Sequence, residues 1–443
     1  MDEFLAFEEI ERQLVSLASP GIRPGLARLS RLLQGLDHPE RRFPSVLLVG
    51  TNGKGSTAAT LSSCLREAGY RVALYTSPHL ESLGERLLLN GDPLPSSSWR
   101  TSLERIEPLL REDRRLASDR PSYFEILTAL AFHRIAEIAP DLAVVEAGMG
   151  GRLDATNVLG DVRATICTPL GLDHQEYLGG TLEAIAAEKF AVLRPGVPAL
   201  YAGGGTGLNE RFRKQAARVG ALPWIHETAC RLDLLDLTLQ GVRFHRECDG
   251  RPPLRHLEFP LPGLHQPTNA SLALGALEHL SVSFPRLGEE ALRKGLRSTR
   301  WPGRMEWFPR GEGGLLLDGA HNPHGVEALA RSLEAMKTRR SSWGLVFAAM
   351  GDKEIAPSLR RLAPLFETLW CTTVPRCPRA MAADALARVA RDSGWADRVE
   401  VEPDPAEAVS QALSRFPSVT ACGSLFLVGI LRGHRANFLG AAS

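Results

Sequence analysis

The sequence lacks the features that direct a chain to a membrane, to a nucleic acid or out of the cell. No apolar run approaches the roughly 20 residues needed to span a bilayer. The first residues, Met1-Asp2-Glu3-Phe4, are acidic and carry no basic stretch followed by an apolar one, as a secretory signal would. Lys+Arg (52) and Asp+Glu (51) cancel to a formal net charge of +1, so bulk charge offers nothing to a phosphate backbone or an anionic bilayer. The seven cysteines, an odd number, show no metal-type spacing; Cys371 and Cys377 lie six apart, but no second pair supports a zinc site. All seven read as packing residues of a reduced, cytoplasmic protein. No internal repeat, low-complexity tract or coiled-coil stretch stands out, and a monomer is the expectation.

What is present fits a globular enzyme. With 443 residues, 44% apolar and 23% charged, length alone suggests two or three domains. The most informative stretch runs from Ser45 to Gly69. The apolar run Val46-Leu47-Leu48-Val49 reads as a strand, Gly50-Thr51-Asn52-Gly53-Lys54-Gly55-Ser56-Thr57 as a glycine loop, and the following Ala/Leu-rich run as a helix that stops at Gly69. Glycines let backbone amides turn toward an anion, and the helix N-terminus adds partial positive charge. Lys54 can reach terminal phosphates, and a hydroxyl of Ser56 or Thr57 can ligate Mg²⁺. The strict P-loop spacing is not met, because only two residues separate Gly50 from Gly53-Lys54.

Further strands end in polar groups, where ligands gather in open α/β sheets. Arg71 to Tyr75 runs into Thr76-Ser77-Pro78-His79-Leu80, with Glu85-Arg86 nearby; residues 91–98 read as a loop. Ser122 and Glu125 form a capping box ahead of a helix, so Glu125 has a structural task available. Leu142 to Glu146 is a buried strand ending in a carboxylate, costly unless paired or metal-bound. Mg²⁺ prefers oxygen ligands shared with phosphates, which makes Glu146 the leading metal ligand. His174 follows the strand Ala164 to Thr168 in the same way, so both can converge on one ion. Thr181 caps a helix that carries Lys189; a solvated lysine, or one near the C-terminal turn, is the default there. Short pieces such as 237–239 and 242–245 suggest a small antiparallel section. Leu261 to Ala270 opens a helix that Thr268 or Asn269 would cap. Arg297 to Gly303 reads as an inter-domain linker, in which Trp301-Pro302-Gly303 breaks any helix, with Arg304 directly after it. Leu315 to Leu317 form a strand, followed by a helix with Asn322 as cap and Pro323 at its first position. Strands at 345–347, 369–372 and 419–421 alternate with helices, a doubly wound α/β pattern.

Several of these strings together resemble one family. They are Gly-Thr-Asn-Gly-Lys-Gly-Ser at 50–56, Thr-Ser-Pro-His-Leu at 76–80, Glu-x-Gly-x-Gly-Gly-Arg-Leu-Asp-Ala-Thr-Asn at 146–157, Gly-x-His-x-x-x-Asn-Ala at 263–270, Trp-Pro-Gly-Arg at 301–304 and Asp-Gly-Ala-His-Asn-Pro at 318–323. They closely resemble the Mur ligase superfamily and, within it, the folylpolyglutamate synthase/dihydrofolate synthase family, in the expected order from Ile22 to Gly433.

The resemblance implies an ATP-binding, P-loop-type Mur ligase domain with a pterin site over residues 1–298. It implies a smaller Rossmann-like glutamate ligase domain over 299–443, with the active site between them. Thr51, Asn52, Gly53, Lys54, Gly55 and Ser56 would hold the ATP phosphates, Asn269 would read adenine, and Arg304 and Asp318 would meet the nucleotide. Ser56, Ser77, Glu146 and His174 would form the Mg²⁺ site. Lys189 matches a lysine that related enzymes carbamylate to hold a second Mg²⁺, although Phe190-Ala191-Val192 departs from the usual Ala-Gly-Ile. Gly25, Leu26, Ala27 and Arg28, Ser122, Tyr123, Phe124 and Glu125, and Leu153, Asp154 and Ala155 would contact the pterin substrate. His321 would orient L-glutamate, and Asp352-Lys353 matches a strand-end pair of the family. Lys54, His321 and Lys189 are the expected catalytic residues.

The implied reaction is amide ligation through an acyl phosphate, adding L-glutamate to dihydropteroate, to tetrahydrofolate polyglutamates, or to only one of them. A Mur-type cell-wall amino-acid ligase is the alternative; the loop begins at Gly50, leaving no room before it for a separate UDP-binding domain. A nucleotide-dependent switch protein is a further alternative, but it would have no need of Glu146, His174 or the 318–321 motif.

Overall fold

The computed structural model describes residues 3–336, 343–351, 353 and 355–439, so Asp352 lies outside the described residues. The chain divides into two compact units. The first comprises Met1–Leu232, Arg246–Leu257 and Thr268–Thr299; the second comprises Asp233–His245, Glu258–Pro267 and Arg300–Ser443. The division expected at 298/299 did not anticipate the two short segments that cluster with the second unit.

The first unit is organised on a sheet of eight strands: β1 (Pro44–Val49), β2 (Val72–Tyr75), β3 (Leu87–Leu89), β4 (Asp92–Pro93), β5 (Leu142–Glu146), β6 (Asp161–Cys167), β7 (Pro198–Tyr201) and β8 (Leu222–Ile225), in the order β4-β3-β2-β5-β1-β6-β7-β8. From β2 to β8 all neighbours are parallel, and only β3 and β4 run antiparallel at one edge. Parallel neighbours need crossovers, and the helices Lys54–Glu67 and Tyr123–Ile138 supply two of them. Buried strands such as β1, with Val46, Leu47 and Leu48 at 0% exposure, are therefore continuous apolar runs rather than alternating ones. The topology brings the loops after β1, β2, β5, β6 and β7 to one edge, where the sequence motifs lie.

Three strands follow: β9 (Cys230–Thr238), β10 (Gly241–Cys248) and β11 (Leu254–Phe259), in the order β11-β10-β9. Cys230 and Cys248 form a disulfide, so reading all seven cysteines as packing residues is corrected for these two. The remaining five are free, and four of them are buried.

The second unit has six strands: β12 (Glu306–Arg310), β13 (Gly313–Leu317), β14 (Trp343–Phe347), β15 (Thr368–Cys371), β16 (Val399–Val401) and β17 (Ser418–Cys422), ordered β12-β13-β17-β14-β15-β16. All pairings are parallel except β12 with β13, which gives the doubly wound form expected. Its core packs Leu316, Leu345, Phe347 and Leu369 against Leu329, Leu359 and Leu386.

Local expectations differ from the structure in three places. Residues 91–98 hold β4 and the start of the helix Ser96–Glu112 rather than a continuous loop. The stretch Gly21 to Leu29 reads in sequence as an interruption between two helical patterns, but Ala27 and Arg28 already belong to the helix Ala27–Gly35. The helix after the 263–265 turn begins at Gln266, so Thr268 and Asn269 sit in its first turn and are not its cap. Among the described residues, no helix is long and apolar enough to cross a membrane.

Candidate active site

Beyond β1 the backbone turns into the helix Lys54–Glu67 through two left-handed glycines, Gly50 (φ 145°) and Gly53 (φ 87°). Both are also closely packed. A Cβ on Gly50 would run into the Thr168 hydroxyl, and one on Gly53 into the carboxamide oxygen of Asn269. Gly53 occupies the helix N-cap, so the following amides face outward without intrahelical acceptors. Lys54 Nζ curls back over the loop, 3.3 Å from Gly50 O and 3.2 Å from Thr51 O, and lies 3.7 Å from Glu146 Oε1. The amides of Thr51 and Asn52 donate to Pro169 O at 3.1 and 3.3 Å, and Thr51 Oγ1 donates to Gly171 O at 3.0 Å. In this conformation these two residues shape the loop through their backbone rather than offering their amides to an anion.

Glu146, at the end of β5, is 5% exposed and lies against Lys54. The turn after it is held by Asp154, whose carboxylate accepts from Met149 N (2.7 Å), Thr156 N (3.0 Å) and Thr156 Oγ1 (2.6 Å). Burial pushes this carboxyl above the usual carboxylate range, against the pull of those hydrogen bonds. Asp154, expected as a substrate contact, is thus the cap of the short turn Ala155–Val158. Gly151 lets this turn meet the helix Leu182–Phe190, since its Cβ would lie 2.7 Å from Glu188 O and 3.0 Å from Lys189 Cα. Lys189 is 4% exposed, far from the solvated lysine of the default reading, and donates to Gly50 O at 2.7 Å. Burial first and the Lys54 charge second lower its pKa to about 8.

His174 adopts a left-handed backbone (φ 52°), has 39% of its side chain exposed, and lies 4.0 Å from Asp173 Oδ1. Among the described residues, no group of three or more His, Cys, Asp or Glu side chains is placed to hold a metal. The donors at this edge, Ser56, Ser77 and Glu146, are nonetheless of the type Mg²⁺ uses, because that ion keeps waters and phosphate oxygens and takes only one or two carboxylates.

The neighbouring loops form a second cluster. The Ser122–Glu125 capping box is present, with Glu125 Oε2 accepting from Ser122 N and Ser122 Oγ, each at 2.8 Å. Arg28 Nε reaches the same carboxylate at 3.2 Å, so the expected contact residues of 25–28 and 122–125 are joined by an ion pair. Phe124 lies over Gly148, where a Cβ would be 2.5 Å from its Cζ, and stacks on Tyr75 with ring centroids 6.5 Å apart. Tyr123 donates to Glu11 Oε1 at 2.9 Å, and Arg86 lies 5.9 Å from the Tyr123 ring centre. Arg86 Nε donates to His79 Nδ1 at 2.9 Å; burial and the Arg86 charge hold this histidine neutral, with its pKa pushed down to about 3. Nothing local in the sequence links Glu11, Tyr75 or His79 to this cluster, since their partners are distant along the chain.

In the second unit, Asp318 accepts from Met305 N and Ala320 N, both at 2.8 Å. Burial raises its carboxyl pKa although Arg304 pulls the other way. A Cβ on Gly319 would lie 2.5 Å from Arg304 Nη1, which puts the guanidinium on the same loop. His321 Nδ1 is 2.7 Å from Gly319 O; a carbonyl only accepts, so Nδ1 carries a proton and donates it there. Asn322 caps the helix Pro323–Ala335 as expected, accepting from Gly325 N at 2.8 Å. His265, quoted in its motif without a role, is kept neutral by burial and by Arg304 and His324, with its pKa pushed down to about 4.

The chain is similar to known proteins. The family described as "Mur ligase, glutamate ligase domain" matches residues 303–421. The dihydrofolate synthase/folylpolyglutamate synthase of Bacillus subtilis is 32% identical over 438 residues, covering 97% of this chain and 99% of that protein. The Escherichia coli protein of the same name is 33% identical, covering 94% of this chain and 92% of its own. Among solved structures, the Mycobacterium tuberculosis folylpolyglutamate synthase complexed with ADP and AMPPCP superposes with a TM-score of 0.87 at 31% identity, covering 98% of this chain and 99% of that one. The Escherichia coli enzyme in complex with DHPP and ADP gives 0.85 at 28% identity, covering 97% and 98%.

Proposed function

Because the chain belongs to the dihydrofolate synthase/folylpolyglutamate synthase family of Mur ligases, we propose that the sheet edge built around Gly50–Ser56 activates a pteroate or folate carboxylate with ATP. The protein is an ATP-dependent acid–amino-acid ligase that adds L-glutamate to dihydropteroate and to tetrahydrofolate polyglutamates. A carboxylate does not acylate an amine at neutral pH. Its oxygen therefore attacks the γ-phosphorus, the bond to the β-phosphate oxygen breaks, and ADP leaves. The glutamate amine then attacks the acyl carbon, loses a proton and expels phosphate. No side-chain nucleophile is required, and positioning with charge neutralisation supplies the rate.

In this reading Lys54 neutralises charge that develops on the transferred phosphoryl group, and Glu146 holds the ammonium over the loop. Ser56 and Glu146, with Ser77 and His174 toward the rim, would hold the Mg²⁺ that accompanies ATP and supplies Lewis-acid charge. Lys189, its pKa lowered to about 8, can supply the free amine, whose nitrogen attacks the carbon of CO₂ and loses a proton to give a carbamate. Gly25 to Arg28, Ser122 to Glu125 and the turn from Leu153 to Ala155 receive the pterin acceptor, with Asp154 acting by holding that turn. In the second unit His321 orients L-glutamate, and Arg304 and Asp318 contact the nucleotide. A monomeric, cytoplasmic enzyme acting on small-molecule substrates is part of the proposal.

The observation that carries this reading is Lys54, folded over a left-handed glycine turn at a helix N-terminus with the buried Glu146 carboxylate 3.7 Å away. Phosphate release from Mg-ATP with L-glutamate tests it, with dihydropteroate in one reaction and tetrahydrofolate in another. Release with both acceptors is expected. Release with one assigns a single activity, and release with neither, while ATP binds, refutes the folate reading and directs attention to UDP-muramoyl substrates.

A further inference from the structure

Next to the phosphate loop lies a cavity of about 330 Å³ whose wall includes Pro169, Ala202, Leu232 and Thr268, with His226 and Glu227 on the polar side. Its position is set by the sheet. Pro169 follows β6 and Ala202 follows β7, so the cavity opens at the same edge as the glycine loop. It also shares walls with that loop: the carbonyl of Pro169 takes the amides of Thr51 and Asn52. Thr268 precedes Asn269, whose carboxamide fills the space beside Gly53. A molecule whose phosphates rest on the N-terminus of the helix Lys54–Glu67 therefore has this cavity beside it, within the same sheet edge.

The imidazole and the carboxylate of the wall differ in how they are committed. Glu227 Oε2 already accepts from Gly204 N (3.1 Å), Gly205 N (3.0 Å) and Asn209 Nδ2 (2.7 Å). His226 is 6% exposed, and its Nε2 is buried with no hydrogen-bond partner among the described residues. An unmade hydrogen bond at a buried nitrogen is costly, and a ligand that completes it recovers that cost. Burial and the nearby Arg246 charge keep the imidazole neutral, with its pKa pushed down to about 4, so in the tautomer protonated at Nδ1 it presents a lone pair at Nε2.

We propose that His226 determines which nucleotide the enzyme uses: Nε2 accepts the exocyclic amine of adenine, while the carbonyl at the same position of guanine would set a second acceptor against it. The proposal rests on the ATP-ligase reading of the loop and goes beyond it by naming, beside the Asn269 expected to read adenine, a second group that discriminates the base. An apolar cavity by itself discriminates weakly between similar rings, whereas one placed hydrogen-bonding group discriminates strongly.

The test is calorimetric binding of non-hydrolysable ATP and GTP analogues to the whole chain and to two variants. His226→Ala should weaken the adenine analogue about tenfold and the guanine analogue less than about twofold, so the preference collapses. His226→Gln, whose carboxamide can also turn a donor inward, should raise guanine affinity and shrink the preference from the other side. A melting temperature recorded for each variant separates this from damage to the fold, which would weaken both analogues alike. An adenine-to-guanine ratio unchanged in both variants overturns the proposal, as does an equal loss for both nucleotides. Wild-type protein that binds neither analogue refutes the ligase reading and this one together. Wild-type protein that prefers the ATP analogue but turns over neither acceptor refutes the ligase reading alone, and the binding ratio still decides the role of His226.

Discussion

The ammonium of Lys189 donates a 2.7 Å hydrogen bond to the carbonyl of Gly50, joining the helix Leu182–Phe190 to the residue that opens the phosphate loop. The contact spans 139 positions of sequence and buries a cation beside a second one, Lys54. The loop is thus held from below by a group whose charge is marginal, and its protonation and its shape are linked.

That link has a sign. The pKa of Lys189 falls from 10.5 in a free chain to about 8 in the fold, so between these values the unfolded chain binds more protons. Stability from this group therefore rises with pH from about 8 to about 10.5, and the full penalty is present below 8. Relative to Lys189→Met, the wild type should gain up to about 3 kcal/mol across that window. Urea denaturation of both proteins near pH 7.5 and near pH 10 measures it; parallel stabilities would show that the lysine is not desolvated as described.

Gly53→Ala should disable nucleotide binding. The position combines a left-handed backbone with the Asn269 carboxamide where a Cβ would go. Strain of about 1–3 kcal/mol is expected, together with displacement of Asn269. ATP affinity should fall at least about tenfold, read by titration calorimetry. Gly207→Ala, where a Cβ meets nothing, is the control and should bind normally.

Glu125 has two tasks that substitution can separate. Glutamine keeps an oxygen for the Ser122 amide but loses the charge paired with Arg28. Glu125→Gln should cost about 1 kcal/mol of stability and raise KM for the pterin acceptor several-fold. Glu125→Ala should add the loss of the cap, about another 1 kcal/mol. Chemical denaturation and acceptor KM, measured on both variants, distinguish the tasks; equal KM values for wild type and Glu125→Gln would leave Glu125 a cap only.

Asp154→Asn tests whether the turn after β5 depends on a carboxylate. All three donors that Asp154 accepts stay in place, and the new amide group must face one of them. A loss of about 1–3 kcal/mol is expected, with ligase activity falling because the turn shifts. Denaturant unfolding and initial rates measure both; full activity with unchanged stability would contradict the capping role.

His321→Ala should raise KM for L-glutamate by about tenfold or more, with a smaller effect on KM for ATP. The histidine is held by Gly319 O through Nδ1, so its removal deletes the imidazole without disturbing the Asn322 cap. Initial rates over a glutamate series give the answer, and an unchanged glutamate KM would remove His321 from the amino-acid site.

Local chemistry made much of this protein legible before any fold was known. Glycines that must turn left-handed, a strand ending in Glu146, the Ser122–Glu125 box and the Asn322-Pro323 helix start are all short-range constraints, and a short stretch of sequence contains them whole. The alternation of strands and helices likewise shows in hydrophobic periodicity, because each element must bury its own face. Tertiary structure alone decided the rest. Lys189 looked like a solvated helix lysine until the sheet brought Gly50 over it. Asp154 looked like a ligand-facing acid until its turn closed on Met149. Thr268 and Asn269 looked like caps until the helix started at Gln266, and Cys230 and Cys248 met only because two strands paired. The pairing of Arg28 with Glu125, and the cavity at His226, are of the same kind. Each depends on strand order, which joins residues far apart in the chain, and no local pattern encodes the order in which parallel strands line up.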